Sequence, residues 1–280
     1  MLSSVRMSVK ENLAGILSRV SAAYRGGETG VKAASLPRLV AVSKTKPKEM
    51  LIQAYQAGQR DFGENYVQEL VEKSQDQEML AQCPEIRWHF IGNCQTNKVK
   101  ALLSCPNLTI IETVTSSKLA TKINNQLSSS SPERAVGVFV QVNTSGEQNK
   151  NGLEPDLVLE TVQHIRQKCP KLKFSGLMTI GNLGNSLSAV KDGGNPDFQT
   201  LREVRREISQ QLNVPESEIE LSMGMSNDFE EAIKCGSTNV RVGSSIFGAR
   251  DYTSKETPPK TNTTNEELKT TEEKLEKVTI

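Results

Sequence analysis

The chain has 280 residues, with 34 lysines and arginines against 33 acids. A net charge of +1 gives no electrostatic footprint for nucleic acid or an anionic membrane, and no apolar run is long enough to span a bilayer. Five cysteines without a CxxC pair and only two histidines argue against a disulfide framework or a histidine-rich metal site, and predict reduced, intracellular thiols.

Met1 to Lys10 carries serines, Arg6 and Lys10 but no acid. It reads first as a flexible terminus over residues 1–7 and second as a weak mitochondrial presequence. The cytoplasm is therefore the expected compartment, with the mitochondrion as the alternative. A first helix follows over Ser8–Arg25, opened by the capping-box spacing of Ser8 and Glu11. Val9, Leu13, Ile16, Leu17, Val20 and Tyr24 give it one apolar face, and Gly26-Gly27 ends it.

A strand–helix pattern then repeats. Strand one is Leu39–Lys44, and Pro47 opens a helix closed by Gly58. Strand two is Arg60–Glu64, with a helix from Tyr66 to Leu80; strand three is Arg87–Gly92, with a helix through Leu102 and Leu103. Strand four is Leu108–Val114, its helix capped near Ser116 and ended by a linker-like serine run, Ser128–Ser131. Strand five is Ala135–Val142, and a helix through Val158 and Ile165 follows the loop Asn143–Gly152. Strand six is Phe174–Ile180, and the glycine- and asparagine-rich stretch Gly181–Asn195 reads as a mobile loop before a helix opened by Pro196. Strand seven is Ile219–Met225, with Ser226 expected to cap a short helix; strand eight is Asn239–Val242. Eight strand–helix units in about 250 residues predict an α/β fold, a single (β/α)8 TIM-type barrel over residues 8–252 preceded by a helix. The turn after strand one lacks the glycine-rich fingerprint of a doubly wound sheet. Residues 253–280, rich in threonine, lysine and glutamate, read as a disordered charged tail.

Lys44 at the end of an apolar strand has two readings. It is either an exposed strand end with its ammonium in water, or a desolvated, Schiff-base-forming amine. The far end of the chain favours the second. In such barrels the loops after strands seven and eight commonly hold phosphate. Here they carry Met225-Ser226-Asn227 and Arg241-Val242-Gly243-Ser244. Ser226 and Ser244 offer hydroxyls and amides, and Gly243 permits close backbone approach. Arg241 lies on the same strand face as Gly243. It is read either as aimed at a ligand or as an internal ion pair with Glu64, Glu112 or Glu220. A Schiff-base lysine and a phosphate cradle together suggest pyridoxal 5'-phosphate (PLP), with Arg241 at the pyridine nitrogen.

Six stretches resemble one family: Val42-Ser43-Lys44-Thr45-Lys46-Pro47, Phe62-Gly63-Glu64-Asn65-Tyr66-Val67-Gln68-Glu69, Trp88-His89-Phe90-Ile91-Gly92, Gly176-Leu177-Met178-Thr179, Leu221-Ser222-Met223-Gly224-Met225-Ser226 and Val240-Arg241-Val242-Gly243. They are similar to the pyridoxal phosphate homeostasis proteins, whose barrel is like the amino-terminal domain of alanine racemase. The resemblance covers roughly residues 9–252. It implies a Schiff base on Lys44, phosphate at Ser226, Gly243 and Ser244, Arg241 facing the pyridine nitrogen and Asn65 near the ring. His89 and Met178 are further neighbours by the same resemblance. It implies a binder and buffer of PLP, passing it to apo-enzymes, with no catalytic residue assigned and a monomer or weak dimer expected. Where the family usually carries a histidine after Ile91-Gly92, this chain has Asn93. The alternatives are a PLP-dependent racemase-like enzyme and a lysine-dependent aldolase. A racemase would need a second domain and an opposing base, and only Tyr66 among the tyrosines is expected near the mouth.

Overall fold

A computed structural model describes residues 7–27, 33–147, 151–182 and 194–249. The proposed tail, most of the proposed flexible start and most of the proposed mobile loop lie outside the described residues.

Eight parallel strands close into a barrel in sequence order. They are β1 (Arg38–Val42), β2 (Asp61–Glu64), β3 (Arg87–Phe90), β4 (Leu108–Val114), β5 (Val136–Gln141), β6 (Leu172–Met178), β7 (Glu220–Ser222) and β8 (Asn239–Val242). The α/β barrel read from the sequence is the fold observed. Closure is made by β8 on β1, with Val40 opposite Arg241 and Ala41 opposite Val242. The two ends of the strand series, about 200 residues apart, therefore finish side by side.

The helices are α1 (Val9–Arg25), α2 (Lys48–Gln56), α3 (Val67–Gln75), α4 (Gln77–Gln82), α5 (Val99–Leu103), α6 (Ser117–Ser130), α7 (Pro155–Lys168), α8 (Pro196–Leu212), α9 (Phe229–Lys234) and α10 (Ser244–Phe247). Side-chain alternation sorts each strand between two cores. Leu39 and Ala41 of β1 join the apolar layer under the helices. Val40 and Val42 face the barrel axis, where Gly63 leaves room for them and for Ile91.

Helix α1 starts with the capping box read from the sequence. The Ser8 hydroxyl accepts from Glu11 N–H at 3.3 Å, and Ser8 N–H donates to Glu11 Oε2 at 2.8 Å. It lies on α9, where Arg19 pairs with Glu230 at 2.7 Å and its guanidinium sits 4.7 Å from the Phe229 ring centre. Leu17 falls off the buried stripe and is exposed.

Four local expectations are corrected. The helix expected over residues 66–80 is two helices, because Asp76 turns extended (ψ 128°) and its Oδ1 accepts from Glu78 and Met79 N–H to start α4. The serine run is no linker: Ser128 to Ser130 complete α6, their hydroxyls bonding back to carbonyls of the preceding turn. Strand β6 begins two residues early, at Leu172. Strand β7 is only three residues long.

All five cysteines are free thiols. Among the described residues no helix is long and apolar enough to cross a membrane, and no cluster could hold a metal ion.

Candidate functional site

The barrel's interior is unusually polar. At its amino-terminal end Arg38 pairs with Glu220 at 2.9 Å, and Arg87 with Asp61 through two bonds of 2.8 and 2.6 Å. Above them His89 is wholly buried, with Nδ1 2.7 Å from Glu112 Oε1 and Nε2 3.2 Å from Asp61 Oδ1. Burial disfavours the imidazolium, but its two carboxylate partners outweigh that and hold the His89 pKa above its ordinary value. Burial likewise works against Glu112, and the bonds to His89, the Arg241 charge and Ser222 lower its pKa on balance.

The chain of contacts continues upward. Ser222 Oγ donates to Glu112 Oε2 at 2.5 Å, and Asn239 Nδ2 donates to Glu112 Oε1 and to Ser222 Oγ. Arg241 Nη1 donates to Ser222 Oγ at 2.5 Å and Nη2 to the Thr179 carbonyl at 2.7 Å. Glu112 Oε2 lies 4.0 Å from Arg241 Nη1. Of the three partners considered from sequence, Glu112 is therefore the one that faces Arg241. Glu64 is paired with Lys73, and Glu220 with Arg38. These two bonds use part of the donor set of Arg241, which also lines the pocket above.

That pocket lies at the carboxyl ends of the strands, with a volume of about 430 Å³. Lys44, Asn65, Ser226, Arg241, Gly243 and Ser244 all line it. Met178 lines it too, as do Val42 and Ile91. His89 does not; it sits beneath, in the column of charges. Asn93 is exposed and stands outside the lining, as does the exposed Tyr66.

Lys44 lies two residues beyond β1, half-buried, in a turn rather than on the strand itself. The next residue, Thr45, has φ 61°. That left-handed conformation is strained for a β-branched side chain. Asn65 follows β2, and its Oδ1 is buried with no hydrogen-bond partner. Its backbone is packed so tightly that a Cβ on Gly92 would stand 1.8 Å from the Asn65 carbonyl oxygen. Glycine at 92 is required by that crossing.

Ser226 does not cap a helix. The short helix α9 begins later, with Asp228 at its cap position and Asp228 Oδ1 accepting from Met225 N–H at 2.6 Å. Ser226 Oγ instead accepts from Gly243 N–H at 3.3 Å, which ties the β7 loop to the β8 loop. A Cβ on Gly243 would lie 3.1 Å from the Val42 carbonyl oxygen, so its smallness serves the approach of β8 to β1. The amides of Ser244 and Ser245 open the single turn of α10 and have no acceptor within it.

The alanine racemase N-terminal domain family matches residues 30–251 of this chain. A human pyridoxal phosphate homeostasis protein is 56% identical over 225 residues, 80% of each chain. This chain belongs to the pyridoxal phosphate homeostasis protein family. The member from Caenorhabditis elegans is 44% identical over 248 residues, 88% of this chain and 98% of its own. PipY of Synechococcus elongatus, solved with PLP bound, superposes with a TM-score of 0.67 at 30% identity, over 86% of this chain and 100% of PipY. Alanine racemase of Clostridium difficile gives a TM-score of 0.60 at 15% identity over 87% of this chain and 57% of the racemase, a likeness of fold alone.

Sequence reading missed the groups that support the pocket from behind. Ser222, Asn239 and Asp61 carry the charge column, and Glu69 and Lys73 brace the Lys44 turn. Strand alternation placed Asn239 on the Arg241 face and could have flagged it. Glu69 and Lys73 stand four apart on a charged helix and look like a solvated ion pair.

Proposed function

We propose that this chain binds PLP as a Schiff base on Lys44 and serves as a carrier and buffer in vitamin B6 homeostasis, handing PLP to apo-enzymes. One observation carries the reading: Lys44, Asn65, Ser226, Arg241, Gly243 and Ser244, drawn from four separate strand ends, line a single pocket of about 430 Å³. That volume suits a single heteroaromatic ring with a phosphate. The relatives' names and the PLP-bound PipY support the same ligand.

The donor set fits the group. Asn65 presents a buried, unpartnered Oδ1 at the pocket wall, a polar atom that a ring substituent would satisfy. The Ser226 hydroxyl and the Ser244 hydroxyl and amide supply neutral donors suited to phosphate. When bound, PLP supplies an aldehyde that captures amines and a ring that can accept electrons. Lys44 provides the amine. Arg241 would meet the ring nitrogen with a guanidinium that keeps its proton, which would leave that nitrogen unprotonated and the ring a weak electron sink. The column below holds that guanidinium in place through Ser222 and Glu112.

One feature favours carrier over racemase: among the described residues no tyrosine lines the pocket to serve as the opposing base. The test is absorbance. Native protein absorbing in the visible, with Lys44→Ala folded but colourless, supports the reading. Colour retained by Lys44→Ala points to another lysine, Lys46 first, since it also lines the pocket. Sustained amino-acid turnover by the coloured protein would replace the carrier with an enzyme.

A further inference from the structure

We infer that Glu69 and Lys73 are positioning residues for Lys44, which together with Glu64 lock the turn on which it stands. The inference rests on the reading of Lys44 as the cofactor lysine. It concerns how that lysine is aimed.

Lys73, on α3, spends all three ammonium donors inward. Its Nζ donates to the Ser43 carbonyl at 2.8 Å, to Glu64 Oε1 at 2.7 Å and to Glu69 Oε1 at 2.8 Å. Glu64 Oε1 also accepts from the Ser43 hydroxyl at 2.7 Å. Glu69 Oε1 accepts from Thr45 N–H at 2.6 Å. Both chain neighbours of Lys44 are thus tied to one buried cluster, Ser43 by carbonyl and hydroxyl and Thr45 by its amide.

The cluster has more to hold than a helix against a strand. Thr45 sits at φ 61°, and a β-branched residue persists there only where its surroundings over-determine it. Lys46 N–H closes the turn on the Ser43 carbonyl at 3.1 Å, and the Glu69 bond to the Thr45 amide is the side-chain contact that holds Thr45 within it. Glu64 adjoins Asn65, so the same charges brace a second pocket residue. Among the described residues four buried side-chain polar atoms lack partners, and three belong to Thr45, Glu64 and Asn65. Such concentration of unsatisfied groups marks a wall built for geometry at a site rather than for stability alone. Burial pushes the Glu64 carboxyl up to about 6 against the Lys73 charge, another cost the fold carries at this wall.

Full-length Glu69→Ala separates aim from stability when paired with Thr45→Gly. Glycine takes a positive φ without strain, so it should keep the turn without the carboxylate. Glu69→Ala is expected to keep its far-ultraviolet dichroism yet retain PLP about tenfold less well, as misplaced reacting groups do. Its apo form should also show an altered rate of Lys44 reductive methylation, read by mass spectrometry. The double variant Thr45→Gly/Glu69→Ala should recover most of both. Wild-type retention and methylation in Glu69→Ala, or no recovery in the double variant, would overturn the inference. Should Glu69→Ala not fold, Glu69→Gln decides on the same two readouts. A wild-type protein with no PLP on Lys44 would sink the carrier reading itself, whereas loaded wild type with unaffected variants sinks only this inference.

Discussion

Arg241 shows how much a single side chain depends on what stands behind it. Burial lowers the guanidinium's pKa, with the Glu112 charge acting against that. Its guanidinium donates to Ser222 Oγ and to the Thr179 carbonyl, so the head is fixed before any ligand arrives. Arg241→Gln should therefore shift the visible spectrum of bound PLP and weaken retention about tenfold, the worth of one charged hydrogen bond. Unchanged spectrum and affinity would make Arg241 a purely structural ion. The sequence flagged two pocket-lining residues because their type contradicted their place, a lysine after an apolar strand and an arginine inside β8. It read poorly where type and place agreed. Ser226 followed by an apolar helix looks like a cap, and only the fold shows Asp228 in that position and Ser226 bridging two loops.

At the scale of elements, the pairing of β8 with β1 brings the strand ends that lead to Lys44 and to Gly243 and Ser244 into one pocket. The alternation of strands and helices was legible because each apolar run was short and several helices announce their starts, α1 by the Ser8 capping box, α6 by Ser116 and α8 by Pro196. The break at Asp76 was not, since an aspartate within a charged helical stretch gives no periodic signal, and only its side-chain bonds to Glu78 and Met79 mark a new start. The crossing of Gly92 over Asn65 makes a sharper demand. Gly92→Ala would drive a Cβ to 1.8 Å from a backbone oxygen. Overpacking of that severity should cost about 3 kcal/mol or more. A denaturant titration should show it as a lower midpoint, together with weaker PLP retention. A midpoint equal to wild type would mean that the β3 end shifts freely.

For the whole molecule, buried charges tie stability to pH in opposite senses. Burial works against the Asp61 carboxylate, but Arg87 and His89 together hold its pKa well below the usual range. Its stabilisation is present above an ordinary aspartate pKa of 3.8 and is lost as pH falls through the folded value. Burial pushes Glu64 up to about 6 from 4.5, so the folded protein binds the extra proton between those values. Its contribution is full below 4.5 and is lost as pH rises through about 6, roughly 2 kcal/mol in all. Thermal melts of wild type and Glu64→Gln should therefore converge or cross as pH rises from 4.5 to above 6. A difference independent of pH would contradict the burial assigned to Glu64.

The proposed Schiff base on Lys44 can be trapped by borohydride reduction of the native, full-length protein and located by peptide mass mapping. It predicts the mass of reduced PLP on the peptide containing Lys44, and none after Lys44→Ala. No added mass, or added mass on Lys46 alone, would contradict it.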